Sequence, residues 1–300
     1  MTSLRTGGSH RTVAIRTVDG EQLAAVEDEV VIEAPLEIRI ECPSSNGTTE
    51  RRSIVVLRTP GDDLELAAGL LFSEGILASH EDLAWIEPDE DTEGEVISVG
   101  LRCPSSELPA PRTTFISSSC GACGKATLAS LASRRRHAIA PGAPRLEAEA
   151  VHRLPETLRA AQATFHRTGG LHAAGLFDEF GNLEVLREDV GRHNALDKVI
   201  GAALAAGGIP LSRRVVLVSG RVGFDLVQKA AMAGVAVLAA VGAPSSLAVE
   251  IARGCGMTLL GFVRNDRFNI YCDFGRILDL DSLDRVRVVD TIGCSEAGSS

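Results

Sequence analysis

The second half of the chain alternates between strand-like and helix-like segments, and this alternation constrains the fold more than any other feature. Apolar runs with the length of strands lie at residues 171–177, 182–187, 214–218, 235–241 and 257–263. Helix-like segments lie at residues 152–166, 192–206, 224–233 and 246–253. This order predicts a layered α/β domain over residues 146–285, with later strands that are mostly parallel.

The first half is expected to form a smaller mixed unit rich in β-strands. Residues 29–41 and 53–58 have the composition of strands, and residues 96–101 add a later one. Asp62 or Asp63 is placed to cap a helix that Gly75 ends. We therefore expect four regions, which are a polar tail (1–24), this mixed unit with the cysteine loop and a linker (25–145), the α/β domain (146–285) and a second tail (286–300).

Composition and charge exclude several classes of function. A formal net charge of −10 argues against sequence-independent binding to nucleic acid, which requires a basic face. The longest uncharged run, Ala230–Val249, is interrupted by glycine and proline, which favours a buried strand over a membrane span. Seven cysteines without a secretion signal indicate reduced thiols rather than a disulfide framework. We therefore expect a cytoplasmic protein that does not bind membranes.

The sharpest motif is the cysteine loop, residues 118–125 with the sequence SSCGACGK. Lys125 and the helix-compatible segment that follows favour the thiolate form of Cys120 and Cys123. Lowering a thiol pKa from about 8.5 to about 7 raises the thiolate fraction at pH 7 from about 3% to about half. The sequence therefore predicts that Cys120 and Cys123 are reactive.

The cysteine loop has alternative functions. Structural zinc usually needs a second ligand pair, and the remaining cysteines form no second Cys-x-x-Cys. Thioredoxin-type redox chemistry places the motif after a strand, whereas here a serine-rich segment precedes it. Both remain alternatives, although we expect no metal. The α/β domain also has the order of elements found in zinc deaminases, but the chain lacks the His-x-Glu motif that deamination requires.

Ligands of open α/β sheets collect at the carboxyl ends of the strands, and two such ends carry arginines. The segment 219–223 follows a strand and contains Arg221 between glycines. The segment 262–269 contains Arg264, Asn265, Asp266 and Arg267 between phenylalanines. These residues suit a nucleotide, with arginines for phosphate, polar side chains for base or ribose edges and a ring for stacking. The alternative is a β-hairpin turn at Asn265–Asp266 with solvated arginines.

The segment 188–198 contains polar residues whose roles are left open. His193 follows Asp189 by four residues, and Asp197 follows His193 by four. Lys198 stands at the same spacing from Asn194. Such spacing predicts a capped helix with a local surface network. His172, which follows a pair of glycines, is given no role by the sequence either.

Several long stretches together resemble one family. They are SSCGACGK (118–125), TGGLHAAGLF (168–177), EDVGRHNALDK (188–198), residues 219–234 and GAPSSLAVEIARGCGMTLLGFVRNDRFNIY (242–271). On these residues the chain resembles the FdhD/NarQ family, the formate dehydrogenase accessory sulfurtransferases. The resemblance extends from about residue 25 to about residue 280. The family is similar in fold to cytidine deaminases and is dimeric, so the resemblance implies a homodimer.

The resemblance also implies a function. A cysteine desulfurase would load a persulfide on Cys120, which matches the family's persulfide-bearing cysteine, with Cys123 as its companion. The sulfur would pass to the bis-molybdopterin guanine dinucleotide cofactor destined for formate dehydrogenase. The family's cofactor-binding segment matches Phe262, Val263, Arg264, Asn265, Asp266 and Arg267. We expect Arg221 to contribute from the neighbouring loop.

The chain departs from the family pattern at Gly223, Asp225 and the pair Cys272–Asp273. The side chains at these positions are therefore assigned no function. The alternative from another functional class is an escort protein that only binds the finished molybdenum cofactor. An escort needs the arginine-bearing strand ends but neither thiol.

Overall fold

The computed structural model describes residues 8–44, 48–92, 94–102, 115–116 and 137–278. These residues form a mixed α/β structure with a two-stranded, a five-stranded and a six-stranded sheet. The mixed α/β class is as predicted. The division into units at residue 145 and the likeness to cytidine deaminases stay predictions.

The two-stranded sheet is a hairpin of β1 (His10–Asp19) and β2 (Gln22–Val31), which pair antiparallel along their whole length. The predicted polar tail of residues 1–24 therefore contains a regular strand and the start of another. An Asp-Gly pair at the turn, with Gly20 at φ 59°, is a hairpin signal that the sequence analysis missed. Both strands are largely exposed, which explains why their composition resembled a tail.

The five-stranded sheet has the order β5-β6-β3-β4-β7. Its strands are β3 (Ala34–Pro43), β4 (Thr49–Arg58), β5 (Leu83–Pro88), β6 (Val96–Leu101) and β7 (Phe115–Ile116). Alternate residues of β3, including Leu36, Ile38 and Ile40, are buried in the same core as helix α1 (Asp63–Ser73). The predicted strand 29–41 is thus divided between β2 and β3.

The six-stranded sheet has the order β13-β12-β11-β10-β8-β9. Its strands are β8 (His172–Phe177), β9 (Leu183–Asp189), β10 (Val215–Val218), β11 (Val237–Ala240), β12 (Thr258–Gly261) and β13 (Asn269–Cys272). The helices of this half are α2 (Ala148–Ala161), α3 (Ala163–Thr168), α4 (Arg192–Ala205), α5 (Phe224–Met232) and α6 (Ser246–Cys255). The consecutive strands β10, β11 and β12 are parallel, which confirms the prediction for the later strands.

The uncharged run 230–249 forms the end of α5, the fully buried strand β11 and the beginning of α6. This confirms the predicted buried strand. Among the helices of the described residues, none has the length and apolar character needed to cross a membrane.

Helices α1 and α4 join the two halves of the chain, and their backbones touch. A Cβ atom added at Gly69 would overlap the carbonyl oxygen of Asp197, and one added at Gly201 would overlap the carbonyl oxygen of Glu65. Only glycine permits this approach. Residues from both halves consequently share one hydrophobic core.

Candidate functional site

Three loops meet at the carboxyl edge of the six-stranded sheet, where the parallel strands β10, β11 and β12 end. These loops, residues 219–223, 242–246 and 262–268, are called the carboxyl rim below. The amide of Gly242 donates to the carbonyl of Gly220 at 3.1 Å, and the amide of Phe262 donates to the carbonyl of Gly242 at 3.1 Å. The rim therefore continues the hydrogen bonding of the strands beyond their ends.

Glycine is required where the rim loops touch. A Cβ at Gly242 would lie 2.9 Å from the carbonyl oxygen of Gly220. A Cβ at Gly261 would lie 2.9 Å from Cδ of Pro244 and 2.8 Å from the ring of Tyr271. Real Cβ atoms do not approach other atoms this closely, so the two glycines fix the spacing of the loops.

The loop 262–268 connects β12 to its antiparallel neighbour β13, so it is a hairpin connection. The amide of Arg264 donates to the carbonyl of Arg267 at 2.8 Å, which closes the turn. The side chains of residues 264–267 are exposed, whereas Val263 is fully buried. The loop thus has the hairpin geometry of the alternative prediction. Its exposed arginines are also accessible to a ligand.

Phe262 has a φ of 52°, in the left-handed region that residues with a side chain seldom adopt. The hydrogen bonds of Phe262 and Val263 to the neighbouring strand ends hold this backbone. The ring of Phe268 is partly buried and packs against His152, with ring centroids 5.3 Å apart. The structure therefore brings Arg221, Arg264 and Arg267 to one edge of the sheet, on the first and third loops of the rim.

Asp189, at the end of β9, organises the beginning of α4. Its buried carboxylate accepts hydrogen bonds from the amides of Thr59 (3.1 Å) and Gly191 (2.8 Å) and from the side chain of Asn194 (2.9 Å). Lys198 lies 2.8 Å from the same carboxylate and donates to the carbonyl of Thr59 at 3.0 Å. This network ties β4 of the first half to the rim side of the second half.

The predicted surface network on α4 is wrong, because Asp197 and Lys198 are 1% exposed. Helix α1 covers this face of α4. Asp197 accepts from Ser73 of α1 at 2.8 Å and from Lys229 of α5 at 2.8 Å. Burial raises the pKa of Asp197, while Lys229 and Ser73 act in the opposite direction.

His172 begins β8 at the same edge of the sheet, opposite Asp189 in the strand pairing. Its Nδ1 lies 3.4 Å from Oγ of Ser219, which accepts a hydrogen bond from the amide of Ala173 at 2.9 Å. Burial and, to a lesser extent, the nearby Arg192 lower the pKa of His172 from its ordinary value, while Asp189 acts in the opposite direction. The sequence analysis did not select Arg192 or Ser219, although each follows a strand at the carboxyl edge.

Comparison with known proteins decides the family. The model of the FdhD/NarQ family matches residues 31–278. The chain belongs to the FdhD/NarQ family. It is 47% identical over 280 residues to the sulfur carrier protein FdhD of Streptomyces avermitilis, covering 90% of this chain and 95% of that protein. It is 42% identical over 282 residues to the sulfur carrier protein FdhD of Mycobacterium tuberculosis, covering 90% and 98%.

A solved structure supports the fold of this FdhD/NarQ chain. The crystal structure of a candidate formate dehydrogenase accessory protein from Desulfotalea psychrophila superposes with a TM-score of 0.67. The two sequences are 24% identical, and the match covers 90% of this chain and all of the other. This likeness shows a shared fold.

Gly223, Asp225, Cys272 and Asp273, which are predicted to depart from the family pattern, lie in the described structure. Gly223 is the amino-terminal cap of α5, and Asp225 lies 4.0 Å from His193. Cys272 donates to the carbonyl of Met257 at 3.2 Å, and Asp273 accepts from the hydroxyl of Thr258 at 2.8 Å. The contacts of Cys272 and Asp273 hold the edge strand β13 against the beginning of β12.

Cys120 and Cys123, which are predicted to be reactive, lie outside the described residues. The described strand β7 ends at Ile116, four residues before Cys120, and Ile116 is paired with Val56 of β4. Within the described residues, Cys42, Cys255 and Cys272 are buried, and burial raises the pKa of Cys42 and of Cys272. That part of the chain contains no cluster of three metal-ligating side chains.

Proposed function

We propose that this protein is a sulfur carrier in the maturation of formate dehydrogenase, and that its carboxyl rim binds the bis-molybdopterin guanine dinucleotide cofactor. Relatives of 42–47% identity over almost their whole length are named sulfur carrier proteins, which supports the general role. The observation that carries the cofactor assignment is the joining of Arg221, Arg264 and Arg267 at one strand edge by main-chain hydrogen bonds.

The rim has the physical properties that a nucleotide phosphate requires. The chain has a net charge of −10, so an anionic ligand must find a local excess of positive charge. The exposed arginines supply it, and the amino-terminal ends of α5 and α6, which carry partial positive charge, lie at the same edge. Planar guanidinium groups also bind phosphate oxygens in pairs, which favours phosphate over simple anions.

The thiol chemistry is assigned to Cys120. Its thiolate attacks the terminal sulfur of a persulfide on cysteine desulfurase, which forms an S–S bond to Cys120 and breaks the S–S bond of the donor. The donor cysteine leaves as a thiolate, so electrons balance without a further oxidant. Cys123 either resolves this persulfide or shares the sulfur.

The position of β7 supports the proposal that the thiols act near the six-stranded sheet. β7, which precedes the cysteine loop in the sequence, lies beside β4. β4 leads to Thr59, whose amide and carbonyl bind Asp189 and Lys198 at the rim side of the sheet. β4 thus leads from its pairing with β7 to the edge of the six-stranded sheet at which β9 ends. The family resemblance further supports formate dehydrogenase as the client and a cytoplasmic homodimer as the working form.

Sulfur loading tests the proposal directly. The full chain is incubated with a cysteine desulfurase and labelled cysteine, and intact mass and label are measured for the wild type, Cys120→Ala and Cys255→Ala. Cys255 is the matched control, because it is buried at the end of α6. We expect the wild type and Cys255→Ala to gain sulfur and Cys120→Ala to gain none.

The escort alternative makes the opposite prediction. If Cys120→Ala still accepts labelled sulfur and still activates formate dehydrogenase, with folding and nucleotide binding intact, sulfur transfer through Cys120 is wrong. The protein would then be a cofactor escort.

A further inference from the structure

The hairpin of β1 and β2 contacts the body of the protein through the base of one face. Glu29 and Val31 of β2 have their side chains on this face, which is called the inner face below, because alternate residues of a strand point to the same side. Glu29 accepts a hydrogen bond from Nε of Arg167 in α3 at 2.7 Å. A Cβ added at Gly170 would lie 3.1 Å from Cγ1 of Val31. The opposite face, called the outer face, is therefore directed away from these contacts.

The outer face has an apolar centre. Ile15 and Val26 are direct partners in the middle of the hairpin, and Val13 and Val30 lie on the same face between this pair and the base. Val26 is 42% exposed, and the other three side chains are half-buried. A two-stranded hairpin is only marginally stable in water unless a further layer covers its apolar face. The outer face therefore favours a partner.

The charges of the outer face are arranged so that a second copy of the same face complements them. Arg11 precedes Ile15 by four residues toward the base, and Asp19 follows it by four toward the tip. Both charged side chains are exposed. A two-fold axis through the Ile15–Val26 pair, perpendicular to the strands, stacks two outer faces with the hairpins antiparallel. Arg11 of each copy then lies opposite Asp19 of the other, and the two apolar centres coincide.

The same charges select this register. A shift of the stacked hairpins by one step places Asp19 opposite Val13 in one direction, or Arg11 opposite Thr17 in the other, so both charge pairs are lost. Asp28, the remaining charge of the outer face, lies opposite Ala24 in the centred register and meets no like charge. Opposite charges at fixed positions give an interface its specificity and register. A contact of one face with its own copy also closes at two subunits.

We propose that the outer face of the β1–β2 hairpin is the surface through which two copies of this chain associate, with Arg11 of each copy paired with Asp19 of the other. The inference rests on the proposed function, since it assigns a surface to the homodimer. Each ten-residue strand is roughly 34 Å long, and a face two strands wide buries less than the about 800 Å² per partner of a standard interface. We therefore expect a dimer that dissociates on dilution.

Sedimentation equilibrium of the full chain over a range of concentrations tests this surface. We expect Val26→Asp to weaken the dimer about a hundredfold, because it buries a carboxylate in the apolar centre without a partner. Leu23→Asp is the matched control, since Leu23 is 63% exposed on the inner face of the same hairpin. Its dissociation constant should match that of the wild type.

Charge reversal separates specific pairing from a loss of folding. Arg11→Asp places two carboxylates opposite each other at both ends of the dimer, so we expect association to weaken about ten- to a hundredfold. Adding Asp19→Arg to this variant restores both pairs with reversed polarity and should recover most of the wild-type affinity. Such recovery cannot come from a chain that fails to fold.

The outcomes distinguish this surface from the homodimer itself. A dimer whose dissociation constant is unchanged by Val26→Asp and by Arg11→Asp overturns the inference, and the homodimer then forms through another surface. A wild type that stays monomeric at every concentration overturns both, and the outer face then takes a partner other than this chain. A charge swap that recovers no affinity overturns the pairing of Arg11 with Asp19.

Discussion

Gly69 of α1 and Gly201 of α4 lie at the crossing of the two helices. A Cβ atom on either residue would overlap the main chain of the other helix. The contact is reciprocal, because Gly69 faces the carbonyl of Asp197 and Gly201 faces the carbonyl of Glu65. The crossing joins the first half of the chain to the second, and it buries Asp197 and Lys198.

Gly201→Ala should therefore destabilise the protein. At an exposed helical position the same change would stabilise by about 0.5–1 kcal/mol, because alanine favours helix. At this crossing the added methyl group separates the helices, so we expect a loss of about 1–3 kcal/mol in the free energy of unfolding. Urea denaturation measures it, and an increase in stability would show that the backbones are not in contact.

Lys198→Met should lower the free energy of unfolding by more than the loss of a surface ion pair does. It leaves the buried carboxylate of Asp189 without its cation, which destabilises by about 3–5 kcal/mol. Arg214→Met is the matched control, since Arg214 pairs with Glu184 at a partly exposed site and its loss costs about 0–1 kcal/mol. Adding Asp189→Asn to Lys198→Met recovers part of the loss, because it removes the unpaired charge. Equal midpoints for the two single variants in urea would contradict the assignment.

His172 should make stability depend on pH below neutrality. Burial and Arg192 hold its pKa in the folded protein below 6.5, so the unfolded chain binds a proton more readily. The stability from the neutral ring is complete above pH 6.5 and is lost as the pH falls from 6.5 toward the lower pKa of the folded state. An NMR titration should place the midpoint of His172 below 6.5, and His172→Gln should reduce the decline in stability between pH 7 and pH 5. A midpoint above 6.5 would exclude this account.

Arg264→Ala should weaken GDP binding about ten- to a hundredfold, since one charge-assisted hydrogen bond to phosphate contributes about 1.5–3 kcal/mol. Arg267→Ala should act in the same direction, and Arg213→Ala should have no effect. Fluorescence or calorimetric titration gives the affinities. If both single variants and their double retain the wild-type affinity, the arginine loop is not the nucleotide site.

The parallel strands were predictable because their signal is local. Each of β10, β11 and β12 is a short apolar run bounded by turns, and the loops that follow β10 and β12 carry the arginines. The meeting of those loops at one edge also follows from parallel pairing. The sequence motif at residues 188–198 was recognisable, although its burial was not.

The wrong predictions concern residues whose burial depends on segments that are distant in the sequence. Helical spacing alone predicted that Asp197 and Lys198 lie on the surface, because the sequence of α4 does not indicate that α1 packs against it. Ser73 and Thr59, which contact these residues, are more than 120 positions away in the sequence.

The main-chain bonds from Gly220 to Gly242 and from Gly242 to Phe262 have a consequence for the thermodynamics of binding. The backbone of these loops is ordered when the protein folds, so ligand binding need only restrict the exposed arginine side chains. Affinity at the rim is consequently coupled to the rigidity of the sheet beneath it. A change that loosens the core far from any ligand therefore weakens binding through entropy, without removing a single contact.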